Sequence, residues 1–449
     1  MSNSLTALRV DLEAKGIDVL RVIYADVLGI ARSKDILVSQ LEKAASHGPA
    51  FCQGVWVTTT QGGVLDAENI AGDGLQDMIS KIDPATVHPM PWEPGVAYVV
   101  ADALNPDGTD NMFAPRTVLR KVIAEYTKLG LVPVVGPELE FYIVDRVEGG
   151  GFKRSLDRTG RVYTTGSMVD PHGTFLHLLR MLDQLDIGVF AGNHEFSPSQ
   201  YEINLYHSDA LDAADRTFMF KTAIKDIVHR RGQHATFLGK PFSDEGGSGF
   251  HLHFSVTDLA GNNKMFDGPE LTKVAKQMIA GITANAAALT AFTNPTVNAF
   301  KRLGPDTLAP YRANWGYDNR SCMVRIPPER GQGTRLEVRV GDGGANPYLV
   351  IASILAAALD GIVRNLDCPE PAEGMAYDNE AAAILPATFT EALDSLEANE
   401  HISNHLSTQL VNVFLVMKRD EIARYEEAES DPSTREVTPW EIQEYLEDF

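Results

Sequence analysis

The stretch VVGPELEFYIVD, Val134 to Asp145, decides how the chain folds around its chemistry. Its Val, Phe, Tyr and Ile predict a β-strand, because branched and aromatic side chains pack well on a pleated surface. Glu138 and Glu140 stand two residues apart, so on a strand both point to one face. Leu139, Phe141 and Ile143 point to the other face and predict a core. Two carboxylates aimed together at one place call for a cation.

Three more segments repeat the pattern. GNHEFSPSQYEINLY (192–206) predicts two short strands joined by Ser-Pro-Ser-Gln and carries His194, Glu195 and Glu202. GSGFHLHFSV (247–256) puts His251, His253 and Ser255 on one face and Phe250, Leu252 and Phe254 on the other. TRLEVRV (334–340) separates Arg335, Glu337 and Arg339 from Leu336, Val338 and Val340 in the same way. Any one such strand is also compatible with an ordinary antiparallel sheet wet on one face. Together they carry Glu, His and Arg where surface strands usually carry Lys, Thr and Ser. Sheltered groups of that kind are costly unless paired or metal-bound. Five carboxylates (Glu138, Glu140, Glu195, Glu202, Glu337) and one imidazole (His251) form a hard, oxygen-rich donor set that selects Mg²⁺ or Mn²⁺ over zinc or copper. That is too many acids for one Mg²⁺ and suits two or three ions for phosphoryl chemistry.

The bulk properties set the frame. The chain has 449 residues, 44% of them hydrophobic, enough for two to three ordinary domains or one large enzyme with a smaller module. Its net charge of −22 repels nucleic acid and anionic membrane surfaces, so neither is an expected partner. Against that background, Lys301 to Arg339 holds eight bases and four acids. Guanidinium forks match phosphate and carboxylate, which points to a nucleoside triphosphate and a carboxylate substrate. No GxxxxGK[ST] loop occurs, so a nucleotide would bind in another way. Cys52, Cys322 and Cys368 form no CxxC, no Cys/His cluster and no disulfide framework. They suit a reducing cytoplasm, the expected location. Asp11 and Glu13 interrupt the N-terminus, so no signal peptide is expected there. YLVIASILAAALDGI (348–362) is too short to span a bilayer and predicts a buried helix.

The predicted fold class is α+β. The first 17 residues or so predict a helix. Residues 17–38 predict a strand, a turn at DVLG and a second strand, and VAYVVADAL (96–104) the clearest strand of this part. The turn-rich NPDGTDNMFAPR (105–116) marks a boundary, giving domains of 1–110 and 111–449. Strands and helices then alternate, the last 80 residues are helical and acidic, and 369–381 predicts a surface loop.

GPELEFYI, HEFSPSQYEIN, GGSGFHLHFS, NPTVNAFKRL, NRSCMVRIP and RLEVRVGDGGANPYL occur in the order found in bacterial-type glutamine synthetases, and the chain resembles that family over nearly its whole length. The resemblance implies a small N-terminal β-grasp domain and a large catalytic domain whose antiparallel sheet forms a funnel surrounded by helices. It implies a homo-oligomer of two stacked six-membered rings, with each active site between one catalytic domain and a neighbour's N-terminal domain. It implies one metal site at Glu140, Glu195 and Glu202, and another at Glu138, His251 and Glu337. Arg302 and Arg339 match the residues that hold glutamate's carboxylates, and the Gly247 backbone lies near its amine. Arg320 and Arg325 match those on the ATP phosphates, and His253, Ser255 and Arg335 lie on the nucleotide side. The implied reaction phosphorylates the γ-carboxylate of glutamate with ATP and then displaces phosphate with an amine.

The departures fall on the nitrogen substrate. Cys52 in AFCQGVW and Leu308 in KRLGPDTLAPYR stand where ammonium-using members have acids. The pocket therefore loses negative charge and gains apolar character, which favours an alkyl or aryl monoamine over ammonium. Tyr163, Glu195 or Asp306 are the candidates to take the amine's proton, and Trp56 and Trp315 are candidates either to line the pocket or to sit in the core. Gly246 stands where the family has Asn. Tyr377 is a weak match to the tyrosine that some members adenylylate. The expected activity is an ATP-dependent glutamate–amine ligase for the breakdown of an amine as a nitrogen or carbon source. The alternatives are a glutamine synthetase using ammonium, a non-catalytic relative, and a metal phosphohydrolase.

Overall fold

The computed structural model describes residues 2–45, 47–66, 74–148, 151–156, 158, 161–305 and 307–449. Alternating hydrophobicity in the first hundred residues produces a six-stranded sheet. Its main path runs Ala31–Leu37, Val19–Ala25, Val96–Leu104, Asp77–Ile82 and Ala50–Cys52, and His88–Pro89 also pairs with Val96–Leu104. Val19–Ala25 runs parallel to Val96–Leu104, and the other pairings are antiparallel. The helices Ser2–Ala14 and Leu41–Ala45 bury Leu8, Leu12 and Leu41 against Leu20, Val22 and Val99. The turn at Gly29 has φ +88°, and a Cβ there would lie 3.0 Å from Asn346 Cα. Glycine therefore lets the hairpin tip touch the rest of the molecule, where Asn346 Nδ2 donates to the Asp26 carbonyl at 2.9 Å.

Among the described residues, Leu104 ends the last strand of that sheet and Pro115 begins the next helix, Pro115–Lys128. Beyond it lies a ten-stranded sheet. Its main path is Trp315–Tyr317, Val324–Ile326, Leu336–Asp342, Gly249–Asp258, Leu131–Arg146, Gln200–Leu205 and Val189–His194. Three further strands, Phe152–Arg154, Ser208–Asp209 and Gln233–Thr236, pair with Leu131–Arg146. All pairings are antiparallel except that of Trp315–Tyr317 with Val324–Ile326. The opening stretch lies in the 16-residue strand Leu131–Arg146 at the centre.

The apolar alternates turn inward as the sequence predicts. Leu139, Phe141, Phe250, Leu252, Phe254, Leu336, Val338 and Val340 are all buried, in one cluster with the helices Ala210–Arg230 and Pro347–Val363. Each such side chain removed from water contributes about 1.5–3 kcal/mol, so this face fixes which side of the sheet is left for the charged residues. Pro347–Val363 is buried along most of its length, and no described helix is long and apolar enough to cross a membrane. It packs against Lys273–Ala284 so closely that a Cβ on Gly361 would fall 2.0 Å from the Gln277 carbonyl oxygen.

Candidate active site

Strand register brings the charged side chains into one row. Across the central pairings Glu138 faces His251, Glu140 faces Glu202, Asn204 faces Glu138, and His253 faces Glu337. Because these pairs lie on one face of the sheet, four strands contribute to a single polar floor. Glu195 follows the adjoining strand Val189–His194 and is buried. His251 Nδ1 lies 2.8 Å from Glu138 Oε1, and His253 Nε2 lies 3.6 Å from Glu138 Oε2. Glu138, His253 and Glu337 offer ligand atoms that all lie within 4.8 Å of one another. His253 thus stands with Glu138 and Glu337 in addition to His251, although Arg335 Nε donates to its Nδ1 at 3.1 Å.

Asn204, Gln200 and Asn193 are members of this floor that the sequence reading passed over. Asn204 Nδ2 donates to Glu138 and to Glu202, each at 3.0 Å, and Asn193 Nδ2 to Glu195 at 2.9 Å. Gln200, Glu202 and Asn204 share the two-residue alternation, which was the available signal.

The acids differ in charge state for physical reasons. Burial, and then the charges of Glu138, Glu140 and Glu195, push Glu202 up to about 9. Burial followed by Glu140 pushes Glu195 up to about 7. Glu337 goes the other way: burial opposes ionisation, but Arg339, His251, His253 and Arg325 outweigh it and bring the carboxyl down to about 2. Arg325 Nη1 donates to Glu337 Oε2 at 2.6 Å, and Arg339 donates to the other oxygen. Carboxylates this crowded cannot all ionise without added positive charge. A divalent cation among Glu140, Glu195 and Glu202 would supply it, so the donor set fits hard ions.

A cavity of about 560 Å³ opens above the other end of the row. Its walls include Glu138 and Glu337 together with His253, Ser255, Arg320, Arg325 and Arg335, and the stacked rings of Phe190 and Tyr206 stand at it, 4.5 Å apart. The Arg320 side chain forms no ion pair with a described residue, whereas Arg325 is held by Glu337 and Asp318. A cation without a carboxylate partner among the described residues, at this cavity, suits a polyphosphate.

The opposite end is built around Arg302. In the strand Leu336–Asp342 two residues, Arg339 and Val340, occupy the place opposite His251, a bulge that frees their carbonyls. Arg302 Nη1 donates to the Val340 carbonyl at 3.2 Å and Nη2 to that of Arg339 at 3.4 Å. Arg302 is buried without a carboxylate partner among the described residues. Burial, only partly offset by Asp342 and Glu140, lowers its pKa. Arg339 is committed to Glu337 and to the Arg320 carbonyl. A Cβ on Gly249 would meet His251 Nε2 at 2.9 Å, Arg302 Nη2 at 3.2 Å and Glu140 Oε1 at 3.3 Å. The missing side chain leaves a cradle among an imidazole, a guanidinium and a carboxylate. Gly247 is packed against Arg302, whose Cγ would lie 2.6 Å from a Cβ at 247.

The residues on the nitrogen side are less gathered. Tyr163 is exposed with φ +59°, and its backbone N–H donates to the His194 carbonyl at 3.0 Å. Burial and then the charges of Glu195 and Glu202 raise its phenol. Leu308 is 61% exposed with φ +62°. Cys52 is exposed in the N-terminal sheet, and its hydrogen bonds, to Leu75 and Gly54, stay within that module. Asp306 lies outside the described residues. Of the two readings of Trp56 and Trp315, the core one holds: both are buried in the main apolar cluster, and Trp315 Nε1 donates to the Pro369 carbonyl. Tyr377 is buried as well, although the loop around it was expected at the surface.

Residues 112–445 match the family model described as glutamine synthetase, catalytic domain. Glutamine synthetases of Halobacterium salinarum, Staphylococcus epidermidis and Methanosarcina mazei are 31%, 33% and 32% identical to the chain. The matches cover 98%, 97% and 97% of this chain and 96%, 97% and 96% of theirs. A solved ADP complex of GmaS superposes with a TM-score of 0.85 at 30% identity, over 97% of this chain and 98% of that one. A ligand-free GmaS structure gives 0.82, also at 30% identity, over 96% and 97%.

Proposed function

Because the chain belongs to the glutamine synthetase family of ATP-dependent ligases, we propose that it joins the γ-carboxylate of glutamate to an organic monoamine, alkyl or aryl. The observation that carries the amine is Leu308, an exposed apolar side chain where the resemblance implies an acid for ammonium. Cys52 departs in the same direction. The likeness to GmaS, solved as an ADP complex, supports a nucleotide in the same fold. In this reading residues 1–110 and 111–449 are separate domains, and the protein is a cytoplasmic homo-oligomer of two stacked six-membered rings.

Arg302, a buried cation lacking a carboxylate partner among the described residues, pairs with a glutamate carboxylate, and Arg339 flanks it. The Gly247 carbonyl accepts from the α-ammonium group, with Glu140 beside it. ATP lies in the cavity with His253, Ser255 and Arg335 around the nucleotide and Arg325 and Arg320 on the phosphates. Two to three Mg²⁺ or Mn²⁺ ions, held by Glu138, Glu140, Glu195, Glu202, His251 and Glu337, would neutralise phosphate oxygens and polarise the transferred group. A γ-carboxylate oxygen attacks the terminal phosphorus, and ADP leaves. Arg320, which forms no ion pair with a described residue, stabilises charge on the phosphoryl oxygens. The amine nitrogen then attacks the acyl carbon of γ-glutamyl phosphate, phosphate leaves, and the nitrogen loses a proton. We assign that proton to Glu195 or Tyr163.

Phosphate release from ATP and Mg²⁺ with glutamate, across ammonium, methylamine, isopropylamine, ethanolamine, putrescine and aniline, tests the proposal. An organic monoamine should exceed ammonium in kcat/KM by tenfold or more, and its product should be the γ-glutamylamide by mass. The names of the curated relatives favour a second reading, a glutamine synthetase, which holds if ammonium is preferred. Turnover without glutamate would indicate a phosphohydrolase, and no turnover with any amine a non-catalytic relative.

A further inference from the structure

We propose that Ser197, in the turn between the strands Val189–His194 and Gln200–Leu205, and Gln200, which opens the second of them, are positioning residues that latch the glycine loop 246–249 and so set the glutamate end of the site. The inference rests on the reading of that end as the glutamate subsite. Ser197 and Gln200 are both buried. The Gly246 N–H donates to Ser197 Oγ at 2.7 Å. From the other side Tyr142 Oη donates to the Gly246 carbonyl at 2.6 Å. Gln200 Nε2 then spans two partners, the Gly247 carbonyl at 3.0 Å and Glu140 Oε2 at 3.2 Å. The Gly249 N–H also donates to Glu140 Oε2, at 2.8 Å.

Each contact fixes a group that the reaction needs. Glu140 Oε2 is held by Gln200 and Gly249, so the other oxygen, Oε1, is turned to the cradle beside Gly249. The Gly247 carbonyl keeps one lone pair for substrate after accepting from Gln200. The turn that carries the latch is strained: Ser199 has φ +67°, while its carbonyl accepts from the Ile143 N–H and its hydroxyl from the Leu156 N–H. Clamped there, it aims Ser197 and Gln200 at the loop together. Ser197 also explains why position 246 has no side chain. A Cβ on Gly246 would lie 2.9 Å from Ser197 Oγ. The hydroxyl occupies the space where a residue at 246 would project, so positions 197 and 246 are coupled.

The test uses the full-length protein as Ser197→Ala, Gln200→Ala, Gly246→Ala and the Ser197→Ala/Gly246→Ala double variant. Two measurements are made: backbone hydrogen exchange of the peptide spanning 243–250, and KM for glutamate and for ATP. The latch predicts faster exchange of that peptide in Ser197→Ala and Gln200→Ala, with peptides from 251 to 258 in the strand beyond it unchanged. It also predicts a glutamate KM raised about tenfold, the effect of losing hydrogen bonds at a buried site, with the ATP KM changed less than twofold. Gly246→Ala should cost the wild type severalfold and the Ser197→Ala background little. Unchanged exchange would overturn the latch whatever the substrate is. Independent effects at 197 and 246, or ATP and glutamate KM values rising together, would overturn the positioning role. If exchange quickens but the wild type shows no glutamate-dependent turnover, the functional reading fails and takes the glutamate assignment with it, while the latch itself stands.

Discussion

Glu138 and His251 sit opposite each other on neighbouring antiparallel strands, with Nδ1 2.8 Å from a carboxylate oxygen. Burial disfavours the Glu138 carboxylate, but His251 and His253 outweigh it and hold the carboxyl well below its ordinary range. One step along the strand, Glu140 faces Glu202, an acid against an acid. The same alternation therefore yields one stabilised carboxylate and one cluster short of positive charge.

The short cluster predicts how the metal-free protein responds to pH. Glu202 titrates at about 9 in the fold against an ordinary 4.5. A carboxyl whose folded pKa lies above its unfolded one binds its proton more tightly when folded, so it supports the fold at low pH and that support is lost as pH rises through the folded value. Chelator-treated protein should lose stability between about pH 4.5 and pH 9. Glu202→Gln, which cannot ionise, should flatten that decline. Mg²⁺ at a hundredfold over its Kd should restore about 2.7 kcal/mol to the wild type and less to the variant. Thermal unfolding across pH, with and without Mg²⁺, measures all three.

Gly249→Ala tests the cradle without altering a charged group. The new methyl would fall 2.9 Å from His251 Nε2 and 3.2 Å from Arg302 Nη2. Both are buried side chains that bound the cradle, so admitting the methyl displaces the groups that shape it. Turnover should fall at least a hundredfold and glutamate protection against heat should vanish. Far-UV circular dichroism should stay that of the wild type.

The sheet and its polar face were legible because both depend on alternation, a property of one strand at a time. Leu139, Phe141, Phe250 and Leu336 are buried where the pattern put them. What one strand does not encode is register. The bulge that sets Arg339 and Val340 against His251 also sets His253 against Glu337, and nothing in TRLEVRV announces an extra residue. Arg302 shows the same limit: its carbonyl partners are freed by that bulge, 37 and 38 residues away in the chain. Burial of Trp56, Trp315 and Tyr377 was equally out of reach, because it depends on which helices and loops close over them.

Leu308→Glu should shift the nitrogen substrate. A carboxylate at an exposed loop position attracts ammonium and offers it a proton acceptor. Near a protein surface an ion pair of that kind is worth on the order of 1–4 kcal/mol. The ratio of kcat/KM for ammonium to that for the preferred organic amine should rise about tenfold, since 1.4 kcal/mol is a factor of ten. The glutamate KM should stay within twofold. A ratio that does not move would detach Leu308 from the amine pocket.

Arg116 ties the N-terminal sheet to the helix Ala210–Arg230 through buried charge. It donates to Asp83 at 2.8 Å and to Asp102 on the N-terminal side, and to Asp215 of the helix Ala210–Arg230 at 2.7 Å. Tyr348 Oη also donates to Asp215, at 2.7 Å. Burial opposes the Asp215 charge and raises its pKa even with Arg116 beside it, so the acid depends on that guanidinium. Arg116→Leu would leave Asp215 and Asp102 buried with less positive charge, a change that costs about 3–5 kcal/mol. Urea unfolding should show a loss of that size, and Asp215→Asn in the Arg116→Leu background should recover part of it. If the double variant is no more stable than Arg116→Leu alone, unpaired charge is not what destabilises the joint, and lost packing of the arginine stem accounts for the change.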